Sequence, residues 1–435
     1  MKESVFLHII NLDCDSTFKE KGGSRVAERL VFHIDVNSAF LSWEAVKRVQ
    51  NGEADLRLIP SCIGGDPKSR VGIVVAKSIP AKKYGITTGE PMAMALRKCP
   101  NLVVVPSDFE QYVKCSKAFK AICKEYTPEM ESFSIDEVFL DMSGMEKIYP
   151  DPIKTAHEIK DRIRDELGFT VNVGIAQNKV CAKMASDFEK PDKVHTLFEN
   201  EIASKMWPLP VNELFTCGKA SASKLISAGI KTIGELAKAD ITELKRLLGD
   251  KTGIQLRNFA NGIDDSPVKE EKEEAKGYSA ETTVDDNLDS FEKINRMLLA
   301  QADIVTARMR AENARCRCVG VTFRTTEFKN KSHQRKLPEL TDVTDKVYEV
   351  AKELMIECWN GEPLRLIGLS ITDIDRDGFE QMSFIVDERK EKMKKLDSAL
   401  DSIRGKFGDD IVKRASTVEV GKRINRKFKA ERKNI

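Results

Sequence analysis

Two adjacent carboxylates interrupt an apolar stretch of the chain, SFSIDEVFLD at residues 132–141. The apolar residues of this stretch are mostly β-branched or aromatic, which predicts a short core strand or hairpin. Asp136 and Glu137 stand in its middle, where two like charges repel each other and lose hydration. They require either a nearby cation or strongly raised pKa values, so the stretch is a candidate for chemistry.

A third carboxylate, Asp35, lies in a similar context in FHIDVNSAF, residues 32–40. Strands whose acidic residues converge on Mg²⁺ often hold two ions for phosphoryl transfer, because hard cations prefer oxygen ligands. On spacing alone the alternative stays open that Asp35, Asp136 and Glu137 are unrelated turn residues at strand ends.

The composition limits the classes of protein that the chain can represent. A chain of 435 residues is too long to fold around one hydrophobic core, so about two to four domains are expected. A composition of 41% hydrophobic and 32% charged residues is typical of a soluble protein. Ten cysteines include no CxxC pair, so neither a zinc ribbon nor a disulfide framework is indicated, and a cytoplasmic location is expected. No apolar run approaches the roughly 18 residues that span a bilayer.

The segments HIDVNSAF and SIDEVFLD together resemble the paired catalytic motifs of the Y-family DNA polymerases, bacterial translesion enzymes of the DNA polymerase IV type. The resemblance continues through GIAQNKVCAKMASDFEKP at residues 174–191 and runs from about residue 30 to the end of the chain. It implies template-directed synthesis across damaged DNA, by two-metal transfer of a nucleotide from dNTP to a primer 3′ hydroxyl.

The fold implied by this resemblance is an α+β multidomain right hand. It has a palm with a mixed sheet and helices on one face, small fingers, a helical thumb with a helix-hairpin-helix element, and an α+β little finger. A stretch rich in acidic residues, DDSPVKEEKEEA, is expected to form a linker that cannot pack a core. The expected boundaries are an N-terminal extension 1–28, palm 29–38 and 108–197, fingers 39–107, thumb 198–263, linker 264–276, little finger 277–376 and C-terminal tail 377–435.

Carried onto this sequence, the family's catalytic and metal-binding carboxylates fall on Asp35, Asp136 and Glu137. The main-chain carbonyl of Val36 is implied as a further ligand, and two Mg²⁺ ions are implied for each active site. The aromatic steric gate that excludes the 2′ hydroxyl of a ribonucleotide falls on Phe40. The alternative for this residue is a core position at the start of a helix.

The triphosphate of the incoming nucleotide also needs cationic side chains. Lys190 in DFEKP matches the family lysine that reaches these phosphates. In the fingers segment, residues 76–100, many relatives have a tyrosine and an arginine where this chain has Ile79 and Lys82. Lys82 keeps the charge but loses the bidentate fork of arginine, which affects nucleotide affinity more than chemistry.

Two further regions are expected to grip DNA. In CGKASASKL, Gly218 and Lys219 match a helix-hairpin-helix turn that binds a phosphate at a helix N-terminus, and Ala220, Leu225 and Ile226 are predicted to form the apolar side of its helix. A helical hairpin used only for packing is the alternative.

The little finger is expected to run strand, helix, strand, basic loop, helix, strand. Between residues 308 and 336 nine Lys or Arg stand against two acids, which suits a duplex backbone or, alternatively, a solvated basic face. The expected contacts are Arg315, Arg317, Arg324, Lys329, Lys331 and Arg335.

The tail contains QMSFIVD, residues 381–387, followed by a charged helical pattern. It resembles the peptide with which bacterial polymerases bind the sliding clamp, with Gln381 as the anchor and Met382, Phe384 and Ile385 as apolar contacts. An ordinary strand or helix cap is the alternative.

The expected partners are primer-template DNA, dNTP and a sliding clamp, with the chain acting as a monomer. A DNA-binding member of the fold that has lost turnover, and a nucleotide cyclase with a similar acidic site, are the competing functions. A cyclase would not need the thumb motif or the basic domain.

Overall fold

The computed structural model describes residues 29–66, 72–269, 274–376, 388–408 and 411–417. The strands are β1 Val31–Val36, β2 Ser61–Gly64, β3 Val74–Lys77, β4 Val103–Val105, β5 Met130–Ser132, β6 Glu137–Asp141, β7 Val171–Ala176, β8 Val194–Thr196, β9 Gly277–Leu288, β10 Arg315–Thr325, β11 Asn330–Thr341 and β12 Leu364–Asp375. The α-helices are α1 Ala39–Gln50, α2 Ile79–Lys82, α3 Met92–Lys98, α4 Phe109–Lys124, α5 Pro152–Leu167, α6 Lys179–Ser186, α7 Lys219–Ser227, α8 Ile233–Lys238, α9 Ile241–Leu248, α10 Asp250–Ala260, α11 Phe291–Ala311, α12 Thr344–Cys358 and α13 Glu388–Phe407. Within these ranges no helix is long and apolar enough to cross a membrane.

The first sheet has the strand order β5-β6-β1-β7-β8 and is mixed, because only β7 and β8 run parallel. On one face Phe32 and Ile34 pack in a common core with helices α4 and α5. The expectation that helices cover only one face is wrong, since α6 packs on β1 and β7 from the other side. Gly174 permits this close approach, because a Cβ there would lie 2.0 Å from the carbonyl oxygen of Ala182.

A smaller sheet, in the order β3-β2-β4, lies between α1 and α4 in the sequence and packs with α2 and α3. Its core is made of small and medium side chains such as Cys62, Val74 and Met92. Helix α1 instead buries Leu41 and Trp43 in the core of the five-stranded sheet. A residue at the start of α1 therefore lies beside the end of β1.

Helices α7 to α10 share a core with α6. In α7 Leu225 is buried as predicted, but Ala220 and Ile226 are exposed and Ala222 is buried in their place. The inward side is set by the three-residue spacing of Ala222 and Leu225, which places them on the same side of the helix. The helix ends just before Gly229, whose φ of 89° lies in the left-handed region, as the glycine turn predicted.

The linker packs over its first part, contrary to the expectation from its composition. Val268 is 7% exposed and belongs to the core of α6 to α10. The guanidinium of Arg29 donates to the main-chain carbonyls of Asp264 and Ser266, and the Asp264 carboxylate accepts from the N–H of Val180. One apolar side chain and satisfied backbone groups are enough to hold a segment that is otherwise polar.

The last sheet has the order β11-β10-β12-β9 and packs against α11 and α12. The segment predicted as a basic loop is mostly strand β11, which pairs with β10 from Arg324 opposite Asn330 to Cys318 opposite Lys336. Because β11 is an edge strand, it can be polar along its whole paired length, and a search for apolar alternation does not detect it.

Helix α13 covers all of the predicted charged helical pattern. It contacts α11 through ion pairs: Arg310 lies 2.6 Å from Asp401, and Arg404 lies 2.6 Å from Asp303. Its apolar Leu396 and Phe407 are exposed. The helix is therefore held to the domain mainly by charged contacts.

Candidate active site

Three carboxylate residues lie together at one end of the five-stranded sheet. Asp35 on β1 stands directly opposite Glu137 on β6, and paired residues of neighbouring strands point to the same face. Asp136 lies in the turn before β6, where its carbonyl accepts the N–H of Val36 at 3.0 Å. The hairpin of β5 and β6 thus places Asp136 and Glu137 beside Asp35.

Two lysines contact these carboxylates. The Lys183 ammonium lies 2.7 Å from an oxygen of Glu137, and Lys190 donates to the carboxylate of Asp35. Lys190 also lies 2.8 Å from Asp187. Lysine side chains therefore supply the cations beside the buried Asp35 and the partly buried Glu137.

Burial and these partners set the protonation of the site. Burial raises the pKa of Asp35 to about 6 even though Lys190 is in contact with it. Burial also opposes ionisation of Glu137, but the neighbouring His33 and Lys183 outweigh it and lower the pKa of Glu137 to about 2. Asp35 is consequently the costlier of the two charges, and it has the most to gain from a further cation.

The donor set suits a hard divalent ion. Three carboxylates and the carbonyls of the adjacent backbone are oxygen ligands, which Mg²⁺ prefers over nitrogen or sulfur. Across the described residues no three His, Cys, Asp or Glu side chains already converge in a metal-binding geometry. Asp35 and Glu137 contact ammonium groups instead, so an ion would take over contacts that Lys190 and Lys183 now make.

His33 and Lys183 were missed by sequence reasoning. His33 is fully buried on β1, accepts or donates a 2.8 Å hydrogen bond between Nδ1 and the Ser186 hydroxyl, and lies 3.9 Å from a Glu137 oxygen. Burial lowers the pKa of His33 to about 4, which leaves a neutral ring. No sequence signal identifies Lys183, because its contact with Glu137 forms only when α6 packs on the sheet.

Phe40 is the second residue of α1 and is half-buried. Its ring stacks on Tyr112 with 4.8 Å between centroids, and the rings of Trp43 and Phe109 lie 5.9 Å away. The contacts hold one side of the Phe40 ring, while part of its surface stays accessible. This placement is compatible with a gate and with a packing role.

The remaining candidate residues lie on other elements. Lys82 and Ile79 are exposed on the short helix α2. Gly218 is the N-cap of α7 and has no side chain that could cap the helix, and Lys219 begins it. The first-turn N–H groups of α7 are therefore not capped by a side chain and could face an anion.

The basic residues of the last domain differ in their partners. Lys331 lies 2.5 Å from Glu362, and Arg335 lies 2.5 Å from Glu353 on α12. Strand pairing places Arg324 on the opposite face of the sheet, where its Nε donates to Asn330 at 2.6 Å. The other expected contacts are Arg315 and Arg317 on β10 and Lys329, which pairs with the adjacent Glu327.

Two of the expected features lie outside the described residues. They are the N-terminal extension 1–28 and the candidate clamp peptide with Gln381, Met382, Phe384 and Ile385.

Comparison with known proteins identifies similar chains over nearly the whole length. Residues 34–187 match the impB/mucB/samB family, residues 275–384 match the C-terminal domain of the same family, and residues 213–264 match the thumb domain of DNA polymerase iota. DNA polymerase IV of Clostridium acetobutylicum is 44% identical over 396 residues, which is 90% of this chain and 98% of the relative. DNA polymerase IV 1 of Bacillus subtilis is 33% identical over 90% of this chain and 94% of its own length.

A solved structure agrees with these matches at the level of the fold. A chimeric Y-family DNA polymerase superimposes with a TM-score of 0.69 and 22% sequence identity, over 79% of this chain and 99% of its own.

Proposed function

The chain belongs to the Y-family DNA polymerases of the DNA polymerase IV type, and we propose that its Asp35, Asp136 and Glu137 hold two Mg²⁺ ions, with the Val36 carbonyl as a further ligand. The chain is a right-hand DNA-directed DNA polymerase that copies template-primer DNA with dNTPs and performs translesion synthesis. Y-family polymerases use divalent ions. The number and kind of ion, and their ligands, are our proposal.

The register of β1 against β6 is the observation that supports this proposal most strongly. It sets Asp35 opposite Glu137, while the backbone bond from Val36 to Asp136 fixes the adjoining turn. When bound, the two ions would lower the pKa of the primer 3′ hydroxyl and neutralise the triphosphate and the leaving pyrophosphate. The chain's own residues provide the rigid sheet end on which these ligands are held.

The two lysines have different roles in the proposal. The Lys190 side chain is 35% exposed and contacts Asp35, and an incoming triphosphate can replace this contact. Lys183 is only 11% exposed and is held by Glu137 and Asp187. We therefore assign Lys190 to the nucleotide phosphates, with Lys82 as an additional surface cation, and Lys183 to the orientation of Glu137.

Removal of the divalent ion is expected to stop nucleotide insertion without releasing DNA. The carboxylates serve chemistry, whereas phosphate contacts on the thumb and little finger hold the duplex. Single-nucleotide insertion opposite damaged and undamaged templates would be measured with Mg²⁺ and with excess EDTA, with DNA affinity measured by fluorescence anisotropy. Undiminished insertion in EDTA would contradict the proposal.

The DNA grip that we propose combines two surfaces. The first-turn N–H groups of α7, which begin at Lys219 after the N-cap Gly218, have no side-chain cap and suit a backbone phosphate, since a helix N-terminus attracts anions. On the little finger, the candidates are Arg315, Arg317, Arg324, Lys329, Lys331 and Arg335. Lys329, Lys331 and Arg335 would exchange a carboxylate for a phosphate, and this exchange is possible because exposed ion pairs contribute little net energy. We further propose that the palm comprises residues 29–38 and 108–197, the fingers 39–107, the thumb 198–263, the linker 264–276 and the little finger 277–376.

We also propose that residues 381–385 bind a sliding clamp, and that the enzyme works as a monomer in the cytoplasm. The peptide lies in the sequence between the last strand of the little finger and α13. A tether to a clamp raises the effective concentration of polymerase at a primer end without any new contact to DNA.

Deletion of residues 381–385 is expected to abolish stimulation by the clamp and leave clamp-free insertion unchanged. The gain from tethering can reach about 10²-fold, so its loss is readily measured by primer extension with and without loaded clamp. A replacement of the same five residues by Gly and Ser controls for the change in length. Clamp binding that survives both changes would rule out the peptide.

A further inference from the structure

Lys190 lies in the connection between α6 and β8, residues 187–193, and this connection is fastened to the sheet by two buried side-chain amides. Asn37 follows β1 and is 8% exposed, and Asn172 on β7 is fully buried. Neither residue was singled out by the sequence analysis. Buried amides need all their hydrogen-bonding groups satisfied, so their partners define what they hold.

Asn37 links the end of β1 to the loop. Its Nδ2 donates to Oδ1 of Asn172 at 3.1 Å, and its Oδ1 accepts the main-chain N–H of Asp192 at 2.9 Å. Because Asn37 is two residues after Asp35, the same strand end carries a metal-site carboxylate and an anchor for the loop of Lys190. The backbone at the end of β1 therefore connects Asp35 rigidly to Asn37.

Asn172 binds the loop on both sides of Lys190. Its Nδ2 donates to the carbonyls of Glu189 at 2.7 Å and Ser186 at 3.1 Å. Its Oδ1 accepts the N–H of Lys193 at 3.3 Å, in addition to the bond from Asn37. The bonded residues flank Lys190, so its backbone is fixed, and only its side chain has to exchange its contact with Asp35 for one with a triphosphate.

The choice of amides follows from their surroundings. An aspartate at position 37 could still accept the Asp192 N–H, but it could not donate to Asn172 and would add a negative charge near Asp35. A neutral group that donates and accepts at once meets both demands. A second anchor holds the far side of the loop, where the Asp192 carboxylate lies 3.0 Å from Lys160.

We propose that Asn37 and Asn172 are positioning residues that fix the loop of Lys190 so that its ammonium meets the triphosphate of the incoming nucleotide. This inference rests on the proposed role of Lys190. It adds the two amides that connect the loop of Lys190 to the sheet and so position its ammonium. Asn37 and Asn172 act through the loop backbone and touch no substrate.

The test is a cycle of variants measured by steady-state insertion of a single nucleotide. Asn37→Ala is expected to raise the KM for dNTP by about 3- to 10-fold, with a smaller change in kcat, because it removes two hydrogen bonds that position Lys190. In a Lys190→Ala background the same change is expected to add nothing to KM, because the group being positioned is absent. The affinity for DNA should stay constant throughout.

Asn261→Ala is the matched control. Asn261 also donates from a side-chain amide to two carbonyls, those of Ala237 at 3.0 Å and Arg257 at 2.9 Å, but it lies at the end of α10. The control is expected to lower Tm and leave the KM for dNTP unchanged. Asn37→Asp keeps the acceptor for Asp192 but loses the donor to Asn172 and adds a negative charge near Asp35, so it is expected to fold and also to raise the KM for dNTP.

Three results would overturn the inference. They are an unchanged KM in both Asn37 variants, an equal rise in KM with and without Lys190, and an equal rise in the Asn261→Ala control. If Lys190→Ala itself leaves KM unchanged, the proposed role of Lys190 fails first and the inference fails with it, so the two failures are distinguishable.

Discussion

Asp35→Asn, Asp136→Asn and Glu137→Gln are each expected to slow single-nucleotide insertion by about 10²- to 10³-fold or more, since each removes a charge that stabilises the reaction at the sheet end. The replacements are close in size to the original side chains, so the packing at the sheet end is preserved. The affinity for primer-template DNA should change little. Rapid-quench kinetics would give the insertion rate and fluorescence anisotropy the affinity.

Glu131→Gln is the matched control for these variants. Glu131 lies on the same hairpin and pairs with Lys179 of α6 at 2.6 Å, close to the pair of Glu137 and Lys183 but outside the catalytic motif. It should insert at the wild-type rate. A wild-type rate in any of the three catalytic variants would refute the assignment of that residue.

The pairing with lysines also changes what the variants should do to stability. Isolated acids would repel each other, and removing one would then raise Tm. Here Lys183 contacts Glu137 and is largely buried, so neutralising Glu137 leaves its ammonium with only the more distant carboxylate of Asp187, at 3.4 Å. We expect Glu137→Gln to lower Tm in the absence of Mg²⁺, as measured by thermal unfolding.

Phe40→Ala is expected to raise ribonucleotide insertion relative to deoxyribonucleotide insertion by roughly 10²-fold, the scale of discrimination that a steric contact provides. A ring against C2′ of the sugar accepts hydrogen there but clashes with oxygen. Stacking on Tyr112 holds the ring on one side, so it cannot simply rotate away from a ribose. The ratio of kcat/KM for rNTP and dNTP at one template base is the quantity to measure.

Phe109→Ala separates a gate from packing. The Phe109 ring lies in the same aromatic cluster, 5.9 Å from Phe40, but it is not part of the HIDVNSAF motif. We expect it to leave the sugar preference as it is. A general loss of activity in Phe40→Ala with an unchanged sugar preference would mean that Phe40 serves packing.

The acids of the site could be found in the sequence because each lies in a short apolar segment that does not otherwise tolerate charge. Lys190 was identified from its motif, but its contact with Asp35 and that of Lys183 with Glu137 could not be predicted, because both depend on α6 packing on the sheet, a long-range contact that Gly174 allows. The spacing of polar residues along the sequence does not predict these contacts.

Other differences between expectation and structure have equally local causes. Strand β11 has no apolar alternation along its paired length because it is an edge strand, so its residues 330–336 read as a loop. The inward side of α7 was mispredicted at Ala220 and Ile226, which are apolar but face solvent, whereas Ala222 is buried. Asn37 lies within HIDVNSAF, but neither it nor Asn172 could be singled out from the sequence, because their hydrogen bonds to Asp192 and Glu189 form only in the folded chain.

Counting bound ions tests directly whether Asp35, Asp136 and Glu137 hold the two ions of the reaction. Mn²⁺ would be titrated by electron paramagnetic resonance into a complex with dNTP and a primer that ends in a dideoxynucleotide, which prevents turnover. We expect two ions in each wild-type complex and fewer than two in Asp35→Asn and in Glu137→Gln. Two ions in a variant that combines Asp35→Asn, Asp136→Asn and Glu137→Gln would contradict this assignment.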